Sequence, residues 1–146
     1  MVTVMGEVLS LRLESGASDL SSSTLLLVLK NTGNKNYVLQ DDVIMKPGFL
    51  WDRFDVKSSN GAVVKYIGMM AKYSPQKFVL QSGEEISTQL DLMNAYNITR
   101  GSYDVCYSVD VLYFEDGGAV NIFQNDTMYY HESLSACLQN ITFFDE

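Results

Sequence analysis

Apolar side chains in this chain return at every second position, and almost nowhere at the spacing of a helix. Leu9, Leu11 and Leu13 alternate with Ser10 and Arg12. The longer run 103–114 does the same, with Tyr103, Val105, Tyr107, Val109 and Val111 on one side. Successive side chains of a strand point to opposite faces, so this pattern folds into sheets that each bury one face. Residues 24–30 are apolar almost throughout, which predicts a central strand covered on both sides.

The strands are separated by turn chemistry. Ser59-Asn60-Gly61 lies between the predicted strands 52–56 and 62–66, and Asn-Gly tolerates the positive φ of a tight hairpin. Ser82-Gly83-Glu84 separates 78–80 from 85–90, and Asp116-Gly117-Gly118 separates 103–114 from 119–123. The last strand is expected over 133–143, and only 91–96 hints at a helical turn. Nine or ten short strands in 146 residues, with no linker or repeat, predict one domain: an all-β, antiparallel Ig-like β-sandwich.

The N-terminal segment changes parity. Val2 and Val4 alternate on the register opposite to Leu9, Leu11 and Leu13, with Gly6 between. Two arrangements bury both halves. The segment 1–13 can cross between the two sheets of its own domain at Gly6. Alternatively Val2 and Val4 form an assembly strand on the edge of a neighbouring copy, a head-to-tail contact that would build a fibre.

The net charge of −8 argues against a nucleic-acid partner, since an acidic surface repels phosphates. The strongest apolar run, 25–29, is far shorter than the roughly 20 residues of a membrane-spanning helix. Cys106 and Cys137 are the only cysteines, with no CxxC and no His-Cys cluster. An even, isolated pair predicts a disulfide tying the 103–114 strand to the last one. Asn97-Ile98-Thr99, Asn125-Asp126-Thr127 and Asn140-Ile141-Thr142 are acceptors for N-linked glycans. The first five residues show neither a basic nor a long apolar leader region. Cysteines and sequons together lead to the expectation of a secreted, extracellular protein from which any leader has been removed.

Catalytic chemistry has little to work with. His131 is the only histidine; His131-Glu132 opens like a zinc-protease HExxH helix, but the second ligand position holds Ser135. No P-loop, GxSxG or GxGxxG occurs. The carboxylates Asp41, Asp42, Asp52, Asp55, Glu115 and Asp116 do not follow calcium-loop spacing and read as solvated loops. Trp51 reads as core rather than as the wall of a pocket. No metal, no cofactor and no enzymatic activity are expected.

One stretch resembles a known family. Its residues are Tyr66-Ile67-Gly68-Met69, Lys72 and Pro75, then Phe78-Val79-Leu80-Gln81-Ser82-Gly83-Glu84. Asp91-Leu92-Met93-Asn94-Ala95-Tyr96 and Gly101-Ser102-Tyr103 follow. Together with 27–33 and Asn60-Gly61, they are similar to the non-catalytic N-terminal domain of the deuterolysin and peptidyl-Lys metalloendopeptidase family. The resemblance implies a sandwich that acts as a prosegment, inhibiting or helping to fold a zinc protease. Leu92 and Tyr96 would then be buried by one helical turn that plugs the end of the sandwich. The residues by themselves predict a non-catalytic extracellular structural or interaction module, a self-associating glycoprotein subunit with protein partners. The prosegment role is the alternative.

Overall fold

The structure is a computed structural model that describes residues 2–5, 7–15, 23–46, 48–117 and 128–144. The described residues form nine strands in two sheets. They are β1 (Val2–Met5), β2 (Leu9–Ser15), β3 (Thr24–Asn31), β4 (Tyr37–Gln40), β5 (Phe54–Ser58), β6 (Lys77–Leu80), β7 (Glu85–Asp91), β8 (Gly101–Glu115) and β9 (Met128–Phe143). The smaller sheet is β2-β3-β7. The larger runs β1-β9-β8-β4-β6, with β5 also paired to β8. The all-β sandwich expected from the alternation is the fold.

Leu25, Leu27 and Leu29 of β3 are fully buried from the small sheet, against Tyr103, Val105, Tyr107, Val111 and Tyr113 of β8 in the same core. Tyr103 makes a tyrosine corner of the kind that Ig domains carry. Its hydroxyl donates to the Thr99 carbonyl at 2.9 Å and accepts from the Thr99 N–H at 3.1 Å, fixing the reversal into β8. In antibody domains the inter-sheet cysteine follows two residues after this tyrosine. Here that position is the buried Val105, and Cys106 comes one later. One residue reverses the face, so the cysteine points outward.

The structure adds to the expectations or departs from them in four places. First, the sandwich is not wholly antiparallel: β1 runs parallel to β9, Val2 opposite Met128 and Met5 opposite His131. β1 belongs to the large sheet and β2 to the small one, and Gly6, where the crossing was expected, lies outside the described residues. Second, 62–66 is not a strand. The Asn60-Gly61 turn forms, with Gly61 at φ +86° and its N–H donating to the Ser58 carbonyl at 2.8 Å. The return pairing ends after Val63 and Val64. Third, the last strand begins at Met128, because its first residues pair with β1 and with the end of β8. Fourth, Tyr37–Gln40 is a strand that the alternation did not single out, being only four residues between Asn36 and Asp41. β4 and β5 lie along the same edge of β8, one near its end and one near its start. After β4 the chain makes a 3-10 turn at Asp41–Ile44. The predicted strand 119–123 lies outside the described residues.

Crossing between sheets strands backbone donors, and a buried acid meets them. The Glu132 carboxylate of β9 is 7% exposed and accepts from the N–H groups of Val8 and Leu9, each at 3.3 Å, and from the Tyr113 hydroxyl. A buried carboxylate is tolerated only with such partners. Burial first, and this hydrogen bond second, push the Tyr113 hydroxyl well above the usual tyrosine range.

Candidate interaction surface

From β5 the chain turns at Asn60-Gly61, runs back briefly along β5 and then leaves the sheet. The Ile67 N–H donates to the Ala95 carbonyl at 2.7 Å, and the Tyr66 ring packs edge-on against Tyr96 with centroids 5.5 Å apart. Gly68 allows this passage: a Cβ there would lie 2.8 Å from the Tyr66 ring and 3.0 Å from the Ala95 Cβ. Tyr96 anchors the site from beneath. It is 1% exposed and donates its hydroxyl to Asp52 Oδ1 at 2.7 Å. Burial, and then that hydrogen bond, raise it far above the ordinary tyrosine value.

Residues 69–76 then run without a turn or bend into β6. The far end is tied to the 3-10 turn: the Tyr73 hydroxyl donates to Asp41 Oδ2 at 2.9 Å and the Gln76 N–H to Asp41 Oδ1 at 3.0 Å. Tyr73 also packs edge-on with Trp51, and the Arg53 guanidinium lies over the Trp51 ring, 4.6 Å from its centroid. Between these anchors the apolar side chains stand in water. Val63 is 66% exposed, Ile67 65%, Met69 69% and Met70 76%, with Met93 half-exposed beside the Ala95 anchor. Val63, Val64, Tyr66 and Met70 also line one groove with Asp52, Phe54 and Asp55. Such clustering of large apolar side chains marks an interaction surface, and methionine suits surfaces that must adapt to a partner.

The charge of this region differs from the rest. Residues 56–83 hold four lysines (Lys57, Lys65, Lys72 and Lys77) and no acidic residue. The other positions hold six basic against eighteen acidic residues, so +4 here faces −12 elsewhere. Lys57 has Asp55 at 3.8 Å. Among the described residues, no carboxylate lies within salt-bridge distance of Lys65 or Lys72. No run of lysines marks this window in the sequence; its signal is the missing acids.

The residues singled out from sequence lie elsewhere. Cys106 and Cys137 form a disulfide with sulfurs at 2.06 Å, directly opposite one another on β8 and β9. It sits on the outer face of the large sheet, Cys106 half-buried and Cys137 exposed. Asn97 is exposed after the Leu92–Asn94 3-10 turn. Asn140 is exposed too, for a local reason: the ladder steps from Val105/Leu138 to Tyr103/Ile141, leaving one extra residue on β9. At this bulge Asn140 takes a left-handed φ of 53° and its N–H donates to Asp104 Oδ1 at 2.8 Å. Asn125 lies outside the described residues. Val2 and Val4 lie on the outer edge of the chain's own β9. His131 sits in β9, 4.0 Å from Asp110.

Of the six carboxylates expected to be solvated loops, Asp55 and Asp116 are exposed, whereas the other four hold the fold. Asp41 receives Tyr73 and Gln76, Asp42 the Arg53 guanidinium at 3.2 Å, Asp52 the Tyr96 hydroxyl, and Glu115 the Lys35 ammonium at 2.9 Å. Among the described residues no three His, Cys, Asp or Glu side chains gather as a metal group, and no helix is long and apolar enough to cross a membrane. No protein-family model matches the chain, and no curated protein matches its sequence. The resemblance to the metalloendopeptidase N-terminal domain therefore rests on the quoted residues alone.

Proposed function

We propose that this chain is a non-catalytic extracellular interaction module, a glycoprotein subunit that works by binding protein. The observation that carries this reading is the segment 63–72. It is anchored at both ends, yet it holds Val63, Ile67, Met69 and Met70 out in solvent. Burying a side chain of this size is worth roughly 1.5–3 kcal/mol. A surface that keeps several exposed on a fixed backbone is built to be covered. A disulfide on the solvent face and two exposed sequons suit a secreted setting.

Self-association belongs to the same proposal. β1 occupies the outermost position of the large sheet. The pairing it makes with its own β9 can equally be made with the β9 of another copy. The test is native capture by the wild-type chain and by Ile67→Ser/Met69→Ser/Met70→Ser. A partner held by the first and lost by the second is expected; identical captures would sink the reading. Sedimentation velocity of the full chain and of a form lacking residues 1–5 decides the self-association part. Loss of concentration-dependent assembly in a still-folded truncation is the expected result, and a wild type that stays monomeric overturns it.

A further inference from the structure

The large sheet ends at β6, a strand paired on one side only. Its partner β4 sets Phe78 against Leu39 and Leu80 against Tyr37, and Asp41 donates its N–H to the Gln76 carbonyl at 2.9 Å. In an antiparallel ladder, bonded and non-bonded pairs alternate. Residues 76, 78 and 80 therefore bond inward, and the backbone groups of Lys77 and Val79 face out. The edge continues upstream. Residues 69–76 run unbent into β6, and none of the N–H groups from Gly68 to Ser74 donates within the described structure. This makes a long edge whose N–H groups are open, the Met69 carbonyl accepting from the Tyr66 hydroxyl, with exposed Met69, Met70 and Val79 along it, and Lys72 and Lys77 spaced between them.

We infer that this edge takes an added strand from a partner protein, an extended segment in which acidic residues alternate with apolar ones. The inference rests on the module reading above and names its ligand. Unpaired backbone supplies the affinity in strand addition, and alternate side chains supply the choice of partner. The choice here is set by charge. An edge carrying Lys72 and Lys77, with Lys65 close by and no acid from 56 to 83, repels a strand like itself. A second copy aligned on this edge sets lysine against lysine. A strand bearing Glu or Asp sets opposite charges across the ladder, where such pairs stabilise it. Pro75 has no N–H to offer and divides the edge into two pairing stretches, 68–74 and 76–80.

The probe is a displayed library of random twelve-residue peptides selected on the immobilised full chain. Enrichment of peptides with alternating acidic and apolar residues is expected. A synthetic form of the best peptide should bind Lys65→Glu/Lys72→Glu at least tenfold more weakly. Replacing its acids by lysine should restore binding to that variant but not to the wild type. Methylation of its alternate backbone nitrogens should abolish binding. An unchanged thermal transition shows that the variant is folded. Enrichment of basic or uncharged peptides, no enrichment over the bare support, or affinity that survives N-methylation each overturns the proposal. So does binding to vesicles of anionic lipid without binding to any peptide. If the selection fails while the serine triple variant still loses its native partner, the edge is wrong and the module stands. If both fail, the module reading falls as well.

Discussion

The windows 103–113 and 63–73 are equal in length and similarly rich in apolar side chains. The first holds Tyr103, Val105, Tyr107, Val109, Val111 and Tyr113, with only Leu112 of its large apolar side chains off that register and half-exposed; the second holds Val63, Val64, Tyr66, Ile67, Met69, Met70 and Tyr73. In the first they fall on alternate positions, so one face of β8 enters the core and the backbone pairs along β9. In the second they fall in adjacent pairs, and a strand sends adjacent side chains to opposite faces. Val64 and Tyr66 are therefore half-buried while their neighbours Val63 and Ile67 stand out, and at Met69-Met70 both are exposed. Order along the chain, more than apolar content, separates structural from available surface.

The predictions test that contrast, beginning with the largest effect. Tyr107 is fully buried, contacts Phe54 and donates its hydroxyl to the Val43 carbonyl at 2.6 Å. Tyr107→Ala is expected to cost about 3–5 kcal/mol, as aromatic truncations do, read from urea unfolding. A loss below about 1 kcal/mol would show that β8 is not the spine of the core. Next, Cys106→Ala/Cys137→Ala opens a loop of sequence separation 31. In the chain-entropy model that costs about 3–4 kcal/mol, while the fold by circular dichroism is unchanged. An equal stability of both forms would mean that the long ladder alone holds β8 to β9.

Alkaline pH gives the third test. Tyr96, Tyr107 and Tyr113 have hydroxyls raised above the ordinary tyrosine value of about 10, chiefly by burial. The folded state holds them neutral, so their contribution is complete below pH 10 and is lost as pH rises through and beyond it. The expected slope is about 1.4 kcal/mol per pH unit for each such tyrosine. Phenolate absorbance should show the more exposed tyrosines ionising first and these three only on unfolding. Early ionisation of all nine would refute the buried network. The smallest effect belongs to the second window: Met69→Ser/Met70→Ser should change stability by no more than about 0.5 kcal/mol. A larger loss would place these methionines in the fold and remove them from the interaction surface.

Some of this was legible beforehand because it is local. The alternation in 9–13 and 103–114, the Asn60-Gly61 turn, the turn at 91–96 with Leu92 and Tyr96 buried, and the cysteine pair depend on near neighbours or on counting. What was missed lies where distant residues decide. Glu132 looked like half of a metal motif, but it is buried to receive Val8 and Leu9, more than a hundred positions away. Nothing around Glu132 announces those donors, which exist only because the chain crosses sheets. The candidate site was half-legible: its lysines and methionines could be counted, but their exposure could not.

By itself the sequence determined that this chain makes a β-sandwich and where many of its strands turn, since a period of two admits few other folds. The tertiary structure alone decided that β1 lies parallel to β9, that β6 and β7 part into different sheets across a short turn, and that the disulfide faces water. Strand pairing is a contest among edges far apart in sequence, each offering the same backbone hydrogen bonds. The winner is set by the sum of side-chain fits across the core, which no single segment carries.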